Sequence, residues 1–311
     1  MNIAIIGRSE ILYNTAELLI ENGHNIKLVI TAKEAPEYKK TSEDFKRLAN
    51  KINAHFLFSP KINDKEIIDF IKKIKNIDIG ISTNYINIIS QEFINLFPYG
   101  ILNSHGGDLP RYRGNACRAW AIINGEKRIG LCIHKMVGGE LDSGDIIARD
   151  YMNIDINTKI GDIYKWDLKR VPELFLEAIS KLEKDKNYIL EKQSKNPEDI
   201  LRCYPRIPKD GKIDWNKSNI EILRLINASS EPYSGAFCEY ENQKLIIWDA
   251  SLYEDNENYC AVPGHIAHID KVSGSIIVIT GKGKLKINEI EYLGFRGLPS
   301  FVIKSIRKRL K

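Results

Sequence analysis

The first hundred residues alternate between short apolar runs and amphipathic segments, and this alternation constrains the fold more than any other feature. Apolar runs at 2–6, 25–31, 77–82 and 100–103 have the length of buried strands. The segments between them carry apolar residues at helical spacing, and the first segment stops at an Asn-Gly pair, a helix C-cap signal. The pattern predicts an α/β fold with a doubly wound, Rossmann-like parallel sheet.

The second half of the chain has a different pattern. A short helical segment at 220–227 is followed by five strand-like stretches, at 235–240, 244–250, 265–269, 275–280 and 284–292. Short strands separated by turns favour a smaller β-rich, OB-like domain. A polar, proline-containing stretch lies between the halves. We therefore expect one domain at 1–187, a linker at 188–208 and a second domain at 209–311.

Composition excludes several classes of protein. The net charge is +5, but residues 201–311 hold 17 Lys and Arg against 13 Asp and Glu, and five of those cations lie in 304–311. A basic run at a chain end is more typical of a solvated helix end than of an RNA-binding surface, so nucleic acid is disfavoured as a partner. The five cysteines are scattered, which predicts reduced thiols and no disulfide framework. The absence of a long apolar run and of a secretory signal predicts a cytoplasmic protein with no membrane contact.

Two polar motifs follow strand-like runs. Asn103 and His105 end one run, and Asp142 lies in Leu-Asp-Ser-Gly-Asp at 141–145. Because ligands bind beyond the carboxyl ends of parallel strands, these side chains are candidates for a shared site. Each alone also fits a structural role, Asn103 and Asp142 as turn formers and His105 as a buried histidine. The first strand lacks Gly-x-Gly-x-x-Gly and the chain lacks a P-loop motif, which disfavours nicotinamide redox and P-loop chemistry.

Taken together, the motifs resemble those of the 10-formyltetrahydrofolate-dependent formyltransferases. The resemblance rests on Asn103-x-His105, on Leu-Pro-x-Tyr-Arg-Gly at 109–114, on Trp-Ala-Ile-Ile-Asn-Gly-Glu at 120–126 and on the motif at 141–145. It continues through 208–215, 232–237 and 263–266, so it covers nearly the whole chain. The combination of Asn-x-His with Leu-Asp-Ser-Gly-Asp is its specific part.

The resemblance implies transfer of a formyl group from N10-formyltetrahydrofolate, a cosubstrate, to an amine, with Asn103, His105 and Asp142 as the catalytic residues. The attacking amine creates a tetrahedral oxyanion, to which the Asn103 amide and protonated His105 can donate hydrogen bonds. An imidazole suits the transfer of the amine proton, and anionic Asp142 can orient His105 and raise its pKa. No metal is expected, because the spacing of the His and Asp residues is not typical of a metal site.

The resemblance also implies two sets of binding residues. The folate pocket is expected along the loop at 84–89 and the segment at 136–141, with contacts from Tyr85, Ile86, Ile89, Val137, Gly139, Leu141 and Asp145. The cations available to hold an anionic acceptor are Arg8, Lys40, Arg111 and Arg113.

Two acceptors compete within this family. The tRNA enzymes usually have a Gly-Thr-Pro-Asp-Phe-like turn after the first strand and Ser-Leu-Leu-Pro after the histidine, where this chain has Gly-Arg-Ser-Glu-Ile at 7–11 and Gly-Asp-Leu-Pro at 107–110. Together with the near-neutral second half, this favours a dTDP- or UDP-linked amino sugar over methionyl-tRNA, and a place in lipopolysaccharide O-antigen biosynthesis. A formyl-folate hydrolase is a third alternative. The nucleotide, the position of the amine, the role of the second domain and a homodimer stay open.

Overall fold

The computed structural model describes residues 1–311, and the chain divides into two compact units. The first unit comprises Met1–Cys117, Ile129–Met152 and Tyr164–Cys203, and the second comprises Arg118–Arg128, Asn153–Ile163 and Tyr204–Lys311. None of the helices combines the length and the apolar character that crossing a bilayer requires.

The strands are β1 (Asn2–Gly7), β2 (Asn25–Thr31), β3 (His55–Phe58), β4 (Ile79–Thr83), β5 (Ile101–His105), β6 (Arg113–Gly114), β7 (Arg128–Lys135), β8 (Ile146–Asn153), β9 (Arg202–Cys203), β10 (Ala236–Tyr240), β11 (Gln243–Tyr253), β12 (Ile266–Ile269), β13 (Ile276–Ile279), β14 (Lys284–Tyr292) and β15 (Phe295–Gly297). The α-helices are α1 (Ser9–Glu21), α2 (Ser42–Lys51), α3 (Lys65–Ile71), α4 (Gln91–Ile94), α5 (Cys117–Asn124), α6 (Ile160–Lys184) and α7 (Asn219–Ser229). Single 3-10 turns lie at Pro197–Asp199, Pro208–Gly211 and Pro299–Phe301.

The first unit is built on a seven-stranded sheet in the order β3-β2-β1-β4-β5-β7-β8. The strands from β3 to β5 pair in parallel, which confirms the predicted Rossmann-like sheet. Strand β7 departs from the prediction, because it pairs with β5 in antiparallel fashion and places His134 opposite Asn103. A parallel return to the sheet would need a crossover connection, whereas the antiparallel pairing of β7 with β5 needs none.

Both faces of this sheet are covered by helices, because side chains alternate along each strand. Ile3 and Ile5 of β1 pack in a core with residues of α1, α2 and α6, among them Phe175. Ala4 and Ile6 pack on the opposite face with residues of α3 and α4. Burial of a large aliphatic or aromatic side chain stabilises by about 1.5–3 kcal/mol, so the two layers hold the central strands and the loops at their ends in fixed positions.

The end of β1 requires a glycine. Gly7 has a φ of +137°, and a Cβ at this position would lie 1.9 Å from the carbonyl oxygen of Thr83 on β4. The next amide, that of Arg8, donates to the same carbonyl at 3.0 Å. Only a residue without a side chain allows the two strand ends to approach this closely.

The second unit contains an antiparallel sheet in the order β10-β11-β14-β13-β12, with β15 paired to β14. The five predicted strands are all present, and the β-rich second domain is confirmed. Trp215 and residues of α7, including Ile222 and Ile226, pack against Ile247 and Ile287 of the sheet. Strand β15 was not predicted, because three residues are too few to show an alternating pattern.

The polar stretch that follows α6 lies in the first unit as far as Cys203. The Glu191 carbonyl accepts a hydrogen bond from the Ile146 amide at 2.8 Å, and Cys203 on β9 pairs with Gly114 on β6. Gln193 is 7% exposed. The two contacts are made by backbone groups, and the buried side chain is a polar amide, so the hydropathy of the sequence does not reveal them.

Candidate active site

Strand β5 places two of the predicted catalytic residues on one face of the sheet. Asn103 and His105 are two positions apart, so their side chains leave the strand on the same side. Ser104 between them faces the other side, where its hydroxyl lies 2.8 Å from the hydroxyl of Thr83. His105 is buried and Asn103 is half-buried.

The third predicted residue, Asp142, reaches the same place from a tight turn after β7. Its backbone φ is +51°, a conformation that aspartate adopts more readily than most residues. A Cβ at Gly144 would lie 1.9 Å from the carbonyl oxygen of Lys135, so the turn closes only with glycine at this position. The Lys135 amide donates to the Asp145 carbonyl at 2.8 Å. The turn therefore folds back on the end of β7 and fixes the position of Asp142.

Both ring nitrogens of His105 face oxygen atoms. Nδ1 lies 3.3 Å from Oδ2 of Asp142, and Nε2 lies 2.6 Å from the carbonyl oxygen of Tyr112. The charged imidazolium satisfies both oxygens with N–H donors, whereas the neutral ring satisfies one. The approach depends on Gly107, because a Cβ there would lie 2.4 Å from the Tyr112 carbonyl and 2.6 Å from Nε2 of His105.

Asp142 is a largely buried carboxylate, 9% exposed. Burial by itself would raise its pKa, but the charge of His105 and the hydrogen bond from the Gly114 amide hold the pKa of Asp142 well below its usual value. The Gly114 amide donates to Oδ2 at 2.9 Å. Asp142 is therefore an anion near neutral pH and favours a proton on Nδ1 of His105.

Two residues of the site were not predicted from the sequence as parts of it. Nε2 of His134 lies 3.3 Å from Nδ2 of Asn103 and 3.4 Å from Oδ1 of Asp142. Nε2 of Gln193 donates to the carbonyls of Asp142 and Gly144 at 2.8 and 2.6 Å. A histidine inside the otherwise apolar run of β7 is a sequence signal that could have indicated His134. Gln193 has no such signal, because it lies in a uniformly polar stretch.

The loop that follows His105 is braced by Arg149 on β8. The guanidinium, 11% exposed, donates to Oδ1 of Asp108 at 2.6 Å and to the Leu109 carbonyl at 2.7 Å. The Tyr151 hydroxyl donates to the same carboxylate oxygen at 3.1 Å. Asp108 and Arg149 thus brace the loop that carries Tyr112.

The chain matches two family profiles in succession. Residues 1–179 match the profile described as formyl transferase, and residues 206–296 match formyl transferase, C-terminal domain. The first match alone covers more than half of the chain. The protein belongs to the formyltransferase family. This confirms the resemblance seen in the motifs and identifies an enzyme that transfers formyl groups.

Individual relatives of this formyltransferase are similar over nearly its whole length. The methionyl-tRNA formyltransferase of Acetivibrio thermocellus is 29% identical over 296 residues, which cover 94% of this chain and 92% of the relative. The crystal structure of WlaRD, a sugar 3N-formyl transferase, in the presence of dTDP and 5-N-formyl-THF has a TM-score of 0.67 at 22% identity and covers 93% of this chain and 97% of the other. An N-formyltransferase from Helicobacter canadensis in complex with folinic acid and dTDP-3-aminofucose has a TM-score of 0.68 at 19% identity and covers 92% and 98%. The two solved structures show the same fold.

Six of the seven residues predicted to contact folate, all but Asp145, lie on two segments of the formyltransferase that touch each other. The Gly139 amide donates to the Ile89 carbonyl at 3.3 Å, and the Gly138 amide donates to Oε1 of Gln91 at 2.9 Å. Ile89 is 1% exposed and packs in the core beneath the loop, so the prediction that it contacts a ligand has no support from its exposure. The segments at 84–91 and 136–141 therefore form one continuous surface.

Exposure separates the remaining predicted folate contacts. Ile86 and Val137 are 41% and 36% exposed, whereas Leu141 and Asp145 are half-buried. The Tyr85 hydroxyl donates to the Ser59 carbonyl at 2.9 Å, and burial raises the pKa of Tyr85 to about 12. Tyr85 therefore has a structural partner, and the apolar surface is offered by Ile86 and Val137. No group of three or more His, Cys, Asp or Glu side chains in the structure is arranged to hold a metal ion.

Two of the four predicted substrate cations brace the formyltransferase site. The Arg8 guanidinium donates to the carbonyls of Asn84 and Lys33, each at 2.9 Å, and so links the loops that follow β1, β2 and β4. Nε and Nη2 of Arg113 donate to Oε1 of Gln193 at 3.2 and 2.8 Å. Both guanidinium groups therefore have protein partners in this structure.

The other two predicted cations pack against aromatic rings. The Lys40 ammonium lies 4.1 Å from the ring centroid of Tyr13, and the Arg111 guanidinium lies 5.4 Å from the ring centroid of Tyr112. A cation over a ring keeps N–H donors that are directed away from that ring, and Arg111 is exposed.

Proposed function

We propose that this formyltransferase moves the formyl group of N10-formyltetrahydrofolate to the primary amine of a nucleotide-linked amino sugar. The observation that carries the chemistry is the juxtaposition of Asn103, His105 and Asp142, with His105 Nδ1 3.3 Å from the Asp142 carboxylate. An N–H donor, a titratable imidazole and a fixed anion are the groups that acyl transfer to an amine requires.

The reaction forms a bond between the amine nitrogen and the formyl carbon and breaks the bond between that carbon and N10 of the folate. The formyl oxygen carries negative charge between these events, and the Asn103 amide supplies a hydrogen bond to it. The amine loses one proton and N10 gains one, and His105 relays it. Removing one such donor or relay typically costs about two to three powers of ten in rate.

The Tyr112 carbonyl has a definite part in this proposal. It lies 2.6 Å from Nε2 of His105, the nitrogen that faces away from Asp142. When reactants bind, a reacting oxygen or nitrogen takes the place of this carbonyl. Because Nδ1 stays on Asp142, the imidazole keeps its orientation while Nε2 changes partner.

We assign the folate donor to the segments 84–91 and 136–141. Ile86 and Val137 offer apolar contact area, and the Gly139 carbonyl and the backbone of Leu141 are the polar groups assigned to the edge of a pteridine ring. A mostly apolar pocket with a few fixed polar groups is typical of cofactor-sized ligands.

The basic residues at the end of the chain support a small acceptor over tRNA. Lys308 pairs with Glu241 at 2.6 Å, and Nη2 of Arg309 lies 2.8 Å from Nε2 of His265. Leu310, which follows them, is buried. A protein that binds RNA needs cations free to contact phosphates, whereas these two already have partners in the second unit.

Methionyl-tRNA is the second candidate acceptor. It is favoured by the similarity to methionyl-tRNA formyltransferases over 94% of the chain. In that case the phosphate contacts would come from the remaining lysines and arginines, and activity would fall steeply with salt.

A panel of acceptors separates these functions. The protein is incubated with 10-formyltetrahydrofolate and, in turn, dTDP-, UDP- and GDP-linked amino sugars, methionyl-tRNA or no acceptor, and tetrahydrofolate release is followed. Release only with an amino sugar is the expected result. Release only with methionyl-tRNA, or without any amine, would replace the proposal with the tRNA enzyme or the hydrolase.

Three variants test the residue assignment. His105→Ala, Asn103→Ala and Asp142→Ala are each expected to lower turnover by at least about a hundredfold while the protein stays folded. His268→Ala is the matched control, because His268 is exposed on β12 of the second unit. Unchanged turnover in any of the three removes that residue from the catalytic set.

A further inference from the structure

His134 is a buried histidine that the proposed chemistry leaves without a role. It lies on β7 directly opposite Asn103 and is 1% exposed. Its two ring nitrogens have different surroundings. Nδ1 lies 2.9 Å from the Lys135 carbonyl, and Nε2 lies 3.3 Å from Nδ2 of Asn103 and 3.4 Å from Oδ1 of Asp142.

One tautomer of the neutral ring satisfies both the Lys135 carbonyl and the Asn103 amide. A carbonyl oxygen only accepts hydrogen bonds, so Nδ1 carries the proton and donates it to Lys135. Nε2 then has a lone pair, which accepts an N–H from the Asn103 amide. That amide has two hydrogens, and His134 holds one of them, so the second N–H and the plane of the amide group are fixed.

We propose that His134 is a positioning residue for the formyl transfer, which holds the Asn103 amide with its free N–H directed at the developing oxyanion. The inference rests on the proposed function, because only there does the orientation of Asn103 matter. A donor stabilises a transition state when it is already oriented before the reaction. Without the ring, rotation of the amide about its last bond exchanges the N–H donor for a carbonyl oxygen.

The contact with Asp142 defines the opposite state. A proton on Nε2 would be donated to Oδ1 of Asp142, 3.4 Å away, and Asn103 would then have to turn its oxygen toward the ring. In that state the Asn103 amide no longer directs its free N–H at the developing oxyanion. The two states therefore differ in whether Nε2 of His134 carries a proton, and this difference can be measured.

Nitrogen-15 NMR of the histidine rings shows directly whether Nε2 of His134 carries a proton. The chain has six histidines, and the His134→Gln variant assigns the signals of His134 by their loss. We expect the ring proton on Nδ1 and a bare Nε2, as the contact of Nδ1 with the Lys135 carbonyl requires. A ring protonated on Nε2, whether neutral or charged, would overturn the proposal. This readout requires no turnover.

Turnover provides the second test. His134→Leu removes the acceptor, and we expect kcat to fall about tenfold to a hundredfold with an unchanged KM for the folate. His134→Gln offers an amide oxygen to Asn103 and is expected to recover most of that loss. Ile133→Val on the same strand, whose side chain packs in the core of the opposite face, is the control and should leave kcat unchanged.

A double-mutant cycle separates positioning from simple structural support. In the His134→Leu background, Asn103→Ala should cost much less than it costs in the parent enzyme, because the amide has already lost its orientation. Additive losses would refute the proposal. If no acceptor in the panel is formylated, the NMR result still decides the role of His134. If an amino sugar is formylated and His134→Leu keeps the parent kcat, the inference fails and the proposed function stands.

Discussion

Replacing Gln193 by alanine is expected to loosen the turn that holds Asp142. The Gln193 amide donates to the carbonyls of Asp142 and Gly144 and accepts two hydrogen bonds from Arg113. The side chain is 7% exposed, so water does not readily replace it. The turn it supports has a left-handed residue at Asp142 and a glycine that accepts no Cβ.

The expected cost follows from the two carbonyls. A buried polar group that loses its partner costs about 1–3 kcal/mol, and entry of one water into the space left by the side chain recovers part of this cost. We therefore expect local opening of the turn to become easier by about 2–3 kcal/mol, which corresponds to about thirtyfold to a hundredfold in an equilibrium constant. Turnover should fall as well, because Asp142 and His105 then spend less time at 3.3 Å.

Hydrogen exchange followed by mass spectrometry measures this local effect. Amides in the segment 136–147 should exchange about thirtyfold to a hundredfold faster in Gln193→Ala, while amides of β11 in the second unit keep their rates. Gln193→Glu retains an acceptor for Arg113 but loses both donors, so it should resemble the alanine variant. The exposed Gln243 provides the control, Gln243→Ala. Parent-like exchange and turnover in Gln193→Ala would show that the amide does not support the turn.

Three further predictions follow from single positions. Gly144→Ala should abolish turnover and speed exchange around Asp142, because the added Cβ would lie 1.9 Å from the Lys135 carbonyl; a fully active variant would contradict the geometry. Phe175→Ala, at a position with 0% exposure, should lower the free energy of unfolding of the first unit by about 3–5 kcal/mol in urea titrations, and a loss below 1 kcal/mol would refute the assigned core. Hydrogen bonds from the Thr41 backbone and hydroxyl and from Arg47 lower the pKa of Asp44 from 3.8 to about 2. The lowered pKa means that Asp44 stabilises α2 fully above pH 3.8 and loses this contribution as the pH falls to about 2. The difference in urea midpoint between the parent and Asp44→Asn should therefore shrink as the pH falls from 3.8 through about 2, and a constant difference would show that the ionised carboxylate is not responsible.

The strands of both units could be predicted from the sequence because their signals are local. Apolar runs such as 77–82, and the alternation in 284–292, follow from the two-residue repeat of a strand. The helix-strand alternation also predicted the parallel order of the central strands. Strand β15 was not predicted, because its three residues are too few to show a two-residue repeat.

Tertiary contacts decided the surroundings of the site. His134 meets Asn103 only because β7 runs antiparallel to β5 in one particular register, and a shift of one residue would turn its side chain to the other face. Gln193 reaches Asp142 across 51 residues from a stretch whose composition predicts only a linker. Neither contact has a periodic or local signal, because each depends on where a distant backbone lies.

The sequence by itself determined the fold class and the family and predicted Asn103, His105 and Asp142 as the catalytic residues, since strand patterns and short motifs are formed by consecutive residues. Only the tertiary structure decided how those residues are held: Asp142 in a buried anionic state, His105 against the Tyr112 carbonyl, and Asn103 against His134. The physical reason is that orientation, burial and charge stabilisation arise from atoms that come together only after the chain has folded.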